Sequence, residues 1–168
     1  MKFKNDEMAL GFQKLGCLAH LMSTSQAHRN QRLYSLSLWA AQAVAHDHVE
    51  IFFRNGDPVG YLIWAMLTPR TLDKLLGQAY VLHPSEWNEG ELLCILDLML
   101  PRGSMATHAR AIQRRLAPAS DHVVWVRKRK NGVLAIYGRH LRARRSMVAT
   151  PESLADKLDG FMTDDSRG

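Results

Sequence analysis

Cysteine is scarce in this chain: Cys17 and Cys94 are the only two, each among apolar neighbours and without CxxC spacing. Two isolated thiols build neither a disulfide framework nor a zinc site, and their setting predicts reduced, buried residues in a reducing cytoplasm. Long apolar runs are missing as well. No segment reaches the ~18 residues of a membrane span, which argues against stable membrane insertion. The first ten residues, MKFKNDEMAL, lack the apolar stretch and small-residue cleavage site of a secretory signal. Aromatic residues do not interleave with the basic ones as in a single-strand stacking platform. No helix-turn-helix or RNA-recognition signature is present, so nucleic acid is not the expected partner.

What is present is ordinary for a globular protein. With 46% apolar and 23% charged residues over 168 positions, the chain can bury a core as one domain spanning 1–168, its ordered part about 6–162. The net charge of +6 favours an acidic partner. The excess is concentrated in Arg127, Lys128, Arg129 and Lys130, followed by Arg139, Arg142, Arg144 and Arg145. A solvated basic face is the plain alternative.

Apolar spacing predicts a helix from about Asp6 to Met22, with Met8, Phe12, Leu15, Leu18, Ala19 and Met22 on its buried face. A second helix is predicted from about Tyr34 to Ala45. Val49–Arg54 and Val59–Leu67 flank Asn55-Gly56-Asp57, a strong hairpin signal. Residues 68–85 are less regular, with Leu72, Leu75 and Leu76 on one helical turn. Ser104 is the expected N-cap of a helix through Leu116, stopped by Pro118. Val123–Lys128 and Val133–Tyr137 predict a second hairpin. Thr150-Pro151 opens a last helix with Leu154, Leu158 and Phe161 on one face.

Between these elements lies Glu91–Gly103, ELLCILDLMLPRG. Its apolar run lacks alternation and is closed by Pro101 and Gly103, as in a strand covered on both faces. Asp97 interrupts the run, and a carboxylate there is costly unless paired or hydrogen-bonded. The partner on offer is His28, in the polar loop Ser23–Asn30. His20, His46, His48, His83, His108, His122 and His140 have no comparable motif and are expected to be structural; no metal is expected.

Two helices, a hairpin, and a strand feeding a helix through a Pro/Gly turn outline an α/β fold of the acetyltransferase-like (GNAT) kind. Its central sheet would be mostly antiparallel and flanked by helices. Such folds usually hold the coenzyme A diphosphate with a Gly-rich loop after that strand. Here Pro101-Arg102-Gly103-Ser104 has a single glycine.

Three stretches together resemble the RTX toxin-activating lysine acyltransferases. Ser25-Gln26-Ala27-His28-Arg29-Asn30 is similar to that family's S-x-x-H-R-[ND] loop. Asp57-Pro58-Val59-Gly60-Tyr61-Leu62-Ile63-Trp64-Ala65 is similar to its P-V-A-Y-x-x-W-A strand. Leu96-Asp97-Leu98-Met99-Leu100-Pro101-Arg102-Gly103 is similar to its I-D-W-I-A-P-F-G. Glu86-Trp87-Asn88-Glu89-Gly90 resembles a W-x-x-G-D turn, without the final Asp. The chain departs from the pattern at Gln31 and Leu98, where tryptophans are usual, and at Trp125, where an arginine is common.

The resemblance implies a protein-lysine acyltransferase. It takes a fatty acyl group from acyl carrier protein, as a phosphopantetheine thioester, and gives it to internal lysines of a protoxin-like acceptor, without a bound cofactor. It also implies a homodimer, with the second hairpin or the face of Leu154, Leu158 and Phe161 as contact. The catalytic pair is His28 and Asp97, supported by Ser25, Arg29, Asn30, Tyr61, Trp64, Arg102 and Gly103. Tyr61, Ile63 and Trp64 read either as core or as the wall of an acyl tunnel.

The chemistry fits these residue types. A lysine amine, with a solution pKa of about 10.4, must lose a proton before it attacks a thioester, and histidine can take it near neutrality. Asp97 would fix the imidazole tautomer. Alternatively His28 attacks first and carries the acyl group itself. Two other functions fit the composition: an acetyl-coenzyme A N-acetyltransferase, and a basic non-enzymatic binding module.

Overall fold

The computed structural model describes residues 2–28, 34, 36–77, 80–130, 133–143 and 145–163. Its helices are α1 (Lys2–Thr24), α2 (Ala41–Ala45, preceded by a π-helical stretch at Leu36–Ala40), α3 (Pro69–Gly77), α4 (Met105–Leu116) and α5 (Leu154–Thr163). The strands are β1 (Val49–Arg54), β2 (Asp57–Leu67), β3 (Leu92–Met99), β4 (His122–Lys128), β5 (Leu134–His140) and β6 (Ser146–Ala149). Among the described residues they form one sheet in the order β1-β2-β3-β4-β5-β6, so this is a mixed α/β fold with helices flanking an open sheet. β1/β2, β4/β5 and β5/β6 pair antiparallel, while β3/β4 pair parallel across the α4 crossover.

The backbone divides into two compact units, Met1–Trp64 with Asp97–His108, and Ala65–Leu96 with Ala109–Gly168. In the first unit the predicted hairpin forms. Asn55 (φ 54°) and Gly56 (φ 89°) both take positive φ, the turn geometry whose twist matches paired strands. Among the described side chains of α1, the buried ones are Leu18, Leu21 and Met22, all in its C-terminal half. Met8 and Phe12, expected on the buried face, are 54% and 68% exposed. The apolar stripe is real, but at that end of the helix it runs into solvent.

In the second unit β4, β5 and β6 carry most of the sheet. β5 extends to His140, three residues past the predicted end, and β6 had no counterpart in the prediction. β6 alternates, with Met147 and Ala149 buried and Ser146 and Val148 exposed, but over too few residues to stand out beside a basic run. The single helical turn foreseen after Thr68 is the nine-residue α3. Leu154, Leu158 and Phe161 are all buried at 6% exposure or less. Phe161 stacks edge-on at 4.9 Å against His122. It also approaches Gly138, where a Cβ would lie 3.1 Å from its ring. The face that was a candidate dimer contact is therefore covered by its own unit.

The 3₁₀ turn at Pro84–Trp87 is anchored by Glu86. Its carboxylate accepts from Tyr80 Oη (2.7 and 2.6 Å), the His83 amide (2.8 Å) and Lys74 Nζ (3.0 Å). Those donors, Tyr80 first and then the amide and Lys74, hold its pKa down at about 2. Nearby, Gly90 passes so close to β2 that a Cβ would collide with the Leu67 carbonyl group.

Candidate active site

α1 ends at Thr24, and its exit is short-wired. The Ser25 amide donates to the Met22 carbonyl (3.1 Å), and the His28 amide to the Ser25 carbonyl (3.2 Å). The resulting 3₁₀ turn, Gln26–His28, folds the histidine back over its own serine. His28 Nδ1 lies 3.0 Å from Ser25 Oγ. A turn of this kind fixes a side chain with few residues, because backbone and hydroxyl bonds act within three positions.

Asp97 arrives from β3. That strand is fully covered at Leu92, Leu93 and Cys94, then half-opens from Ile95 onward. The two-sided burial predicted for the whole run thus holds for its first half only. The opening matters, because an ionised carboxylate at the sealed end would lack solvation. At the open end Asp97 Oδ2 meets His28 Nε2 at 3.0 Å, the side chains being 26% and 11% exposed.

β2 supplies the third group. Tyr61 is wholly buried, and its Oη donates to the same oxygen, Asp97 Oδ2, at 2.7 Å. It also lies 3.3 Å from His28 Nε2. The preceding residue lets β2 come this close: a Cβ on Gly60 would stand 2.5 Å from the Met99 carbonyl oxygen. Burial first, and then the charge and hydrogen bond of Asp97, push the Tyr61 phenol far above its usual range, so it remains an O–H donor.

The remaining residues singled out from the sequence fall in different places. Trp64 points to the opposite face of β2 from Tyr61, by the two-residue period of a strand. It is 2% exposed and packs at 5.6 Å against His48, so it belongs to the core. Arg102 and Gly103 form the turn after β3, both exposed, with Gly103 at φ 76°. Ser104 stands at the start of α4, but its hydroxyl donates to the Pro101 carbonyl (2.7 Å) instead of capping a free amide. Arg29, Asn30 and Gln31 lie outside the described residues. Among the described residues no group of three or more His, Cys, Asp or Glu side chains could hold a metal ion. What the sequence reading undervalued is the Tyr61 hydroxyl. A tyrosine in an apolar buried strand signals that its O–H has a partner.

The arrangement can do one thing well. A carboxylate and a phenol fix one nitrogen of an imidazole, and the other nitrogen faces a hydroxyl. That is an oriented base or nucleophile in a partly dry setting.

Comparison with known proteins identifies the family of this chain. The family model described as the RTX toxin acyltransferase family (HlyC) matches residues 8–136. The RTX-II toxin-activating lysine-acyltransferase ApxIIC of Actinobacillus pleuropneumoniae is 28% identical over 115 residues, 68% of this chain and 69% of its own. The protein-lysine myristoyltransferase RtxC of Kingella kingae is 22% identical over 157 residues, 92% of this chain and 94% of its own. Among solved structures, a GNAT-like decarboxylase, GphF in complex with isobutyryl-CoA, superposes with a TM-score of 0.48 at 16% identity, covering 68% of this chain and 61% of its own. With more than half of its length matched by the family model, this chain belongs to the RTX toxin acyltransferase family.

Proposed function

We propose that this protein is a cytoplasmic enzyme that transfers a fatty acyl group from the phosphopantetheine thioester of acyl carrier protein to internal lysine side chains of a protoxin-like polypeptide. The observation that carries this reading is the 3.0 Å contact of His28 Nε2 with Asp97 Oδ2. Family membership supports lysine acylation, and the names of the relatives supply the class of acceptor.

His28 and Asp97 are the catalytic pair. The lysine ammonium loses one proton to the imidazole, and the freed amine attacks the thioester carbonyl. The carbon–sulfur bond then breaks, the pantetheine thiolate leaves with the proton from the imidazolium, and the extra proton on the new amide nitrogen passes through the freed imidazole to solvent. Asp97 stabilises that imidazolium while it exists. Ser25 sits on the second nitrogen, and Arg29, Asn30, Arg102 and Gly103 border the pair in sequence.

The turn after β3 supports this choice of donor. A coenzyme A diphosphate needs several free amides converging at a helix start. Here the Ser104 amide is already bonded to the Pro101 carbonyl at 3.1 Å, and proline itself has no N–H. A carrier protein brings its own acidic surface and pantetheine arm, and exposed Arg102, Arg110, Arg114, Arg127, Lys128 and Arg129 are available to it. A homodimer, implied by the resemblance, would have to use a surface other than the covered face of α5.

The test is intact-mass analysis of an acceptor protoxin incubated with acyl carrier protein loaded with a fatty acid. Wild-type enzyme adds the acyl mass to the acceptor, and His28→Ala does not. Undiminished acylation by His28→Ala sinks the mechanism.

A further inference from the structure

We propose that Tyr61 is a positioning residue: its phenol O–H pins the one oxygen of Asp97 that orients His28, and so sets which imidazole nitrogen meets the substrate. This rests on the catalytic reading of His28 given above.

The argument is one of donors and acceptors. Asp97 Oδ2 has two neighbours, Tyr61 Oη at 2.7 Å and His28 Nε2 at 3.0 Å. An ionised carboxylate only accepts, so both neighbours must donate, the phenol through O–H and the imidazole through Nε2–H. A neutral imidazole protonated at Nε2 has its lone pair on Nδ1. That nitrogen faces Ser25 Oγ at 3.0 Å, which donates to it in the resting enzyme. The proton acceptor for an incoming lysine is therefore Nδ1. The amine either takes the place of the Ser25 hydroxyl or passes its proton through it.

Tyr61 also limits how Asp97 can move. The aspartate side chain is 26% exposed, and among the described residues both of its side-chain hydrogen bonds fall on Oδ2, so the carboxylate borders water on its other side. The phenol comes from a fully buried ring on a strand locked by its close approach at Gly60. Phenylalanine would fill the same volume, so packing alone does not call for a hydroxyl here. The groups recorded at the His28 ring come from three elements: Ser25 after α1, Tyr61 on β2 and Asp97 on β3.

Tyr61→Phe should lower kcat roughly 10- to 100-fold, the worth of a hydrogen bond to a charged group, with KM changed less than about twofold. In an Asp97→Asn background the same change should cost less than about threefold, because the oriented carboxylate is already gone. Full additivity of the two substitutions overturns the proposal. Nitrogen-15 spectra of labelled imidazoles give a readout that needs no turnover. Wild-type His28 should show the Nε2–H form alone, and Tyr61→Phe should move both ring signals toward the average of two tautomers. Unchanged signals overturn the proposal too. If Tyr61→Phe melts early, fluorotyrosine at position 61 keeps the ring and strengthens the donor, and the Nε2 signal must then shift from its wild-type place or the proposal fails. Because the spectra do not depend on catalysis, an active His28→Ala enzyme would refute the proposed function and leave the tautomer result standing.

Discussion

Cys94 and Cys17 carry the same thiol in different surroundings. Cys94 is 1% exposed on β3, and burial pushes its pKa up to about 12, so its reactive thiolate is negligible at neutral pH. Cys17 is only half-buried on α1. Treatment of the native protein with iodoacetamide at pH 7.5 should label one thiol, Cys17, within minutes, and the second only after denaturant; mass mapping of both cysteine peptides checks this. Asp97 is also a matter of a single oxygen. Asp97→Asn keeps the shape but lets the amide present its NH₂ to His28 Nε2, which selects the wrong tautomer. Acyl transfer should fall by about 10²- to 10⁴-fold with an unchanged circular dichroism spectrum. Residue types and a family-like loop made His28 and Asp97 legible in the sequence. The Tyr61–Asp97 bond was not, because it depends on which residues of β2 and β3 face each other, and spacing alone does not give that.

Elements with strong local rules were the easiest to foresee. Asn55-Gly56 dictates its hairpin through backbone conformation alone, and β4 with β5 reads from β-branched runs. Elements decided by tertiary partners were not. The exposed half of α1 has the same apolar spacing as its buried half, and β6 is four residues of ordinary composition that only pairing with β5 makes a strand. The segment between β2 and β3 joins the amphipathic α3 to the turn Pro84–Trp87, which the polar anchor Glu86 holds rather than any periodicity. Its pH response can be given a sign. The Glu86 pKa is lowered in the folded state from 4.5 to about 2, so its stabilisation is complete above pH 4.5 and is lost as pH falls from there toward about 2. Urea midpoints measured from pH 5 to pH 2.5 should fall more steeply for wild type than for Glu86→Gln; equal slopes would show that this carboxylate is not an anchor. Gly90→Ala tests the same segment sterically. Its Cβ would strike backbone atoms of Leu67 and Thr68, which cannot move as a side chain tip can, so a loss of roughly 1–3 kcal/mol is expected in denaturant melts.

On the scale of the whole molecule, the positive charge is a property that a partner can feel before contact. Arg110, Arg114 and Arg127 are exposed, and if acyl carrier protein is the donor as proposed, reversing two of the three to Glu should weaken its use at least several-fold, mostly through a slower association. Raising salt should mimic that defect in the wild type, since the Debye length shrinks from about 10 Å at 0.1 M to about 3 Å at 1 M. A small acyl-pantetheine thioester, which has no acidic surface to steer, should be used equally by both proteins. If long-chain acyl-coenzyme A serves as well as the loaded carrier and salt has no effect, the donor assignment falls.

His28 and Asp97, the proposed catalytic pair, are 69 residues apart in the chain. A ribosome adding about 5–20 residues per second needs roughly 3–14 seconds to go from one to the other. Through that interval the residues of the Ser25–His28 turn have been made, while the carboxylate that would orient His28 has not. The hairpin carrying Tyr61 is synthesised in between, so the phenol is in place before the oxygen it holds. Translation order thus leaves the proposed base without its carboxylate until β3 has been synthesised.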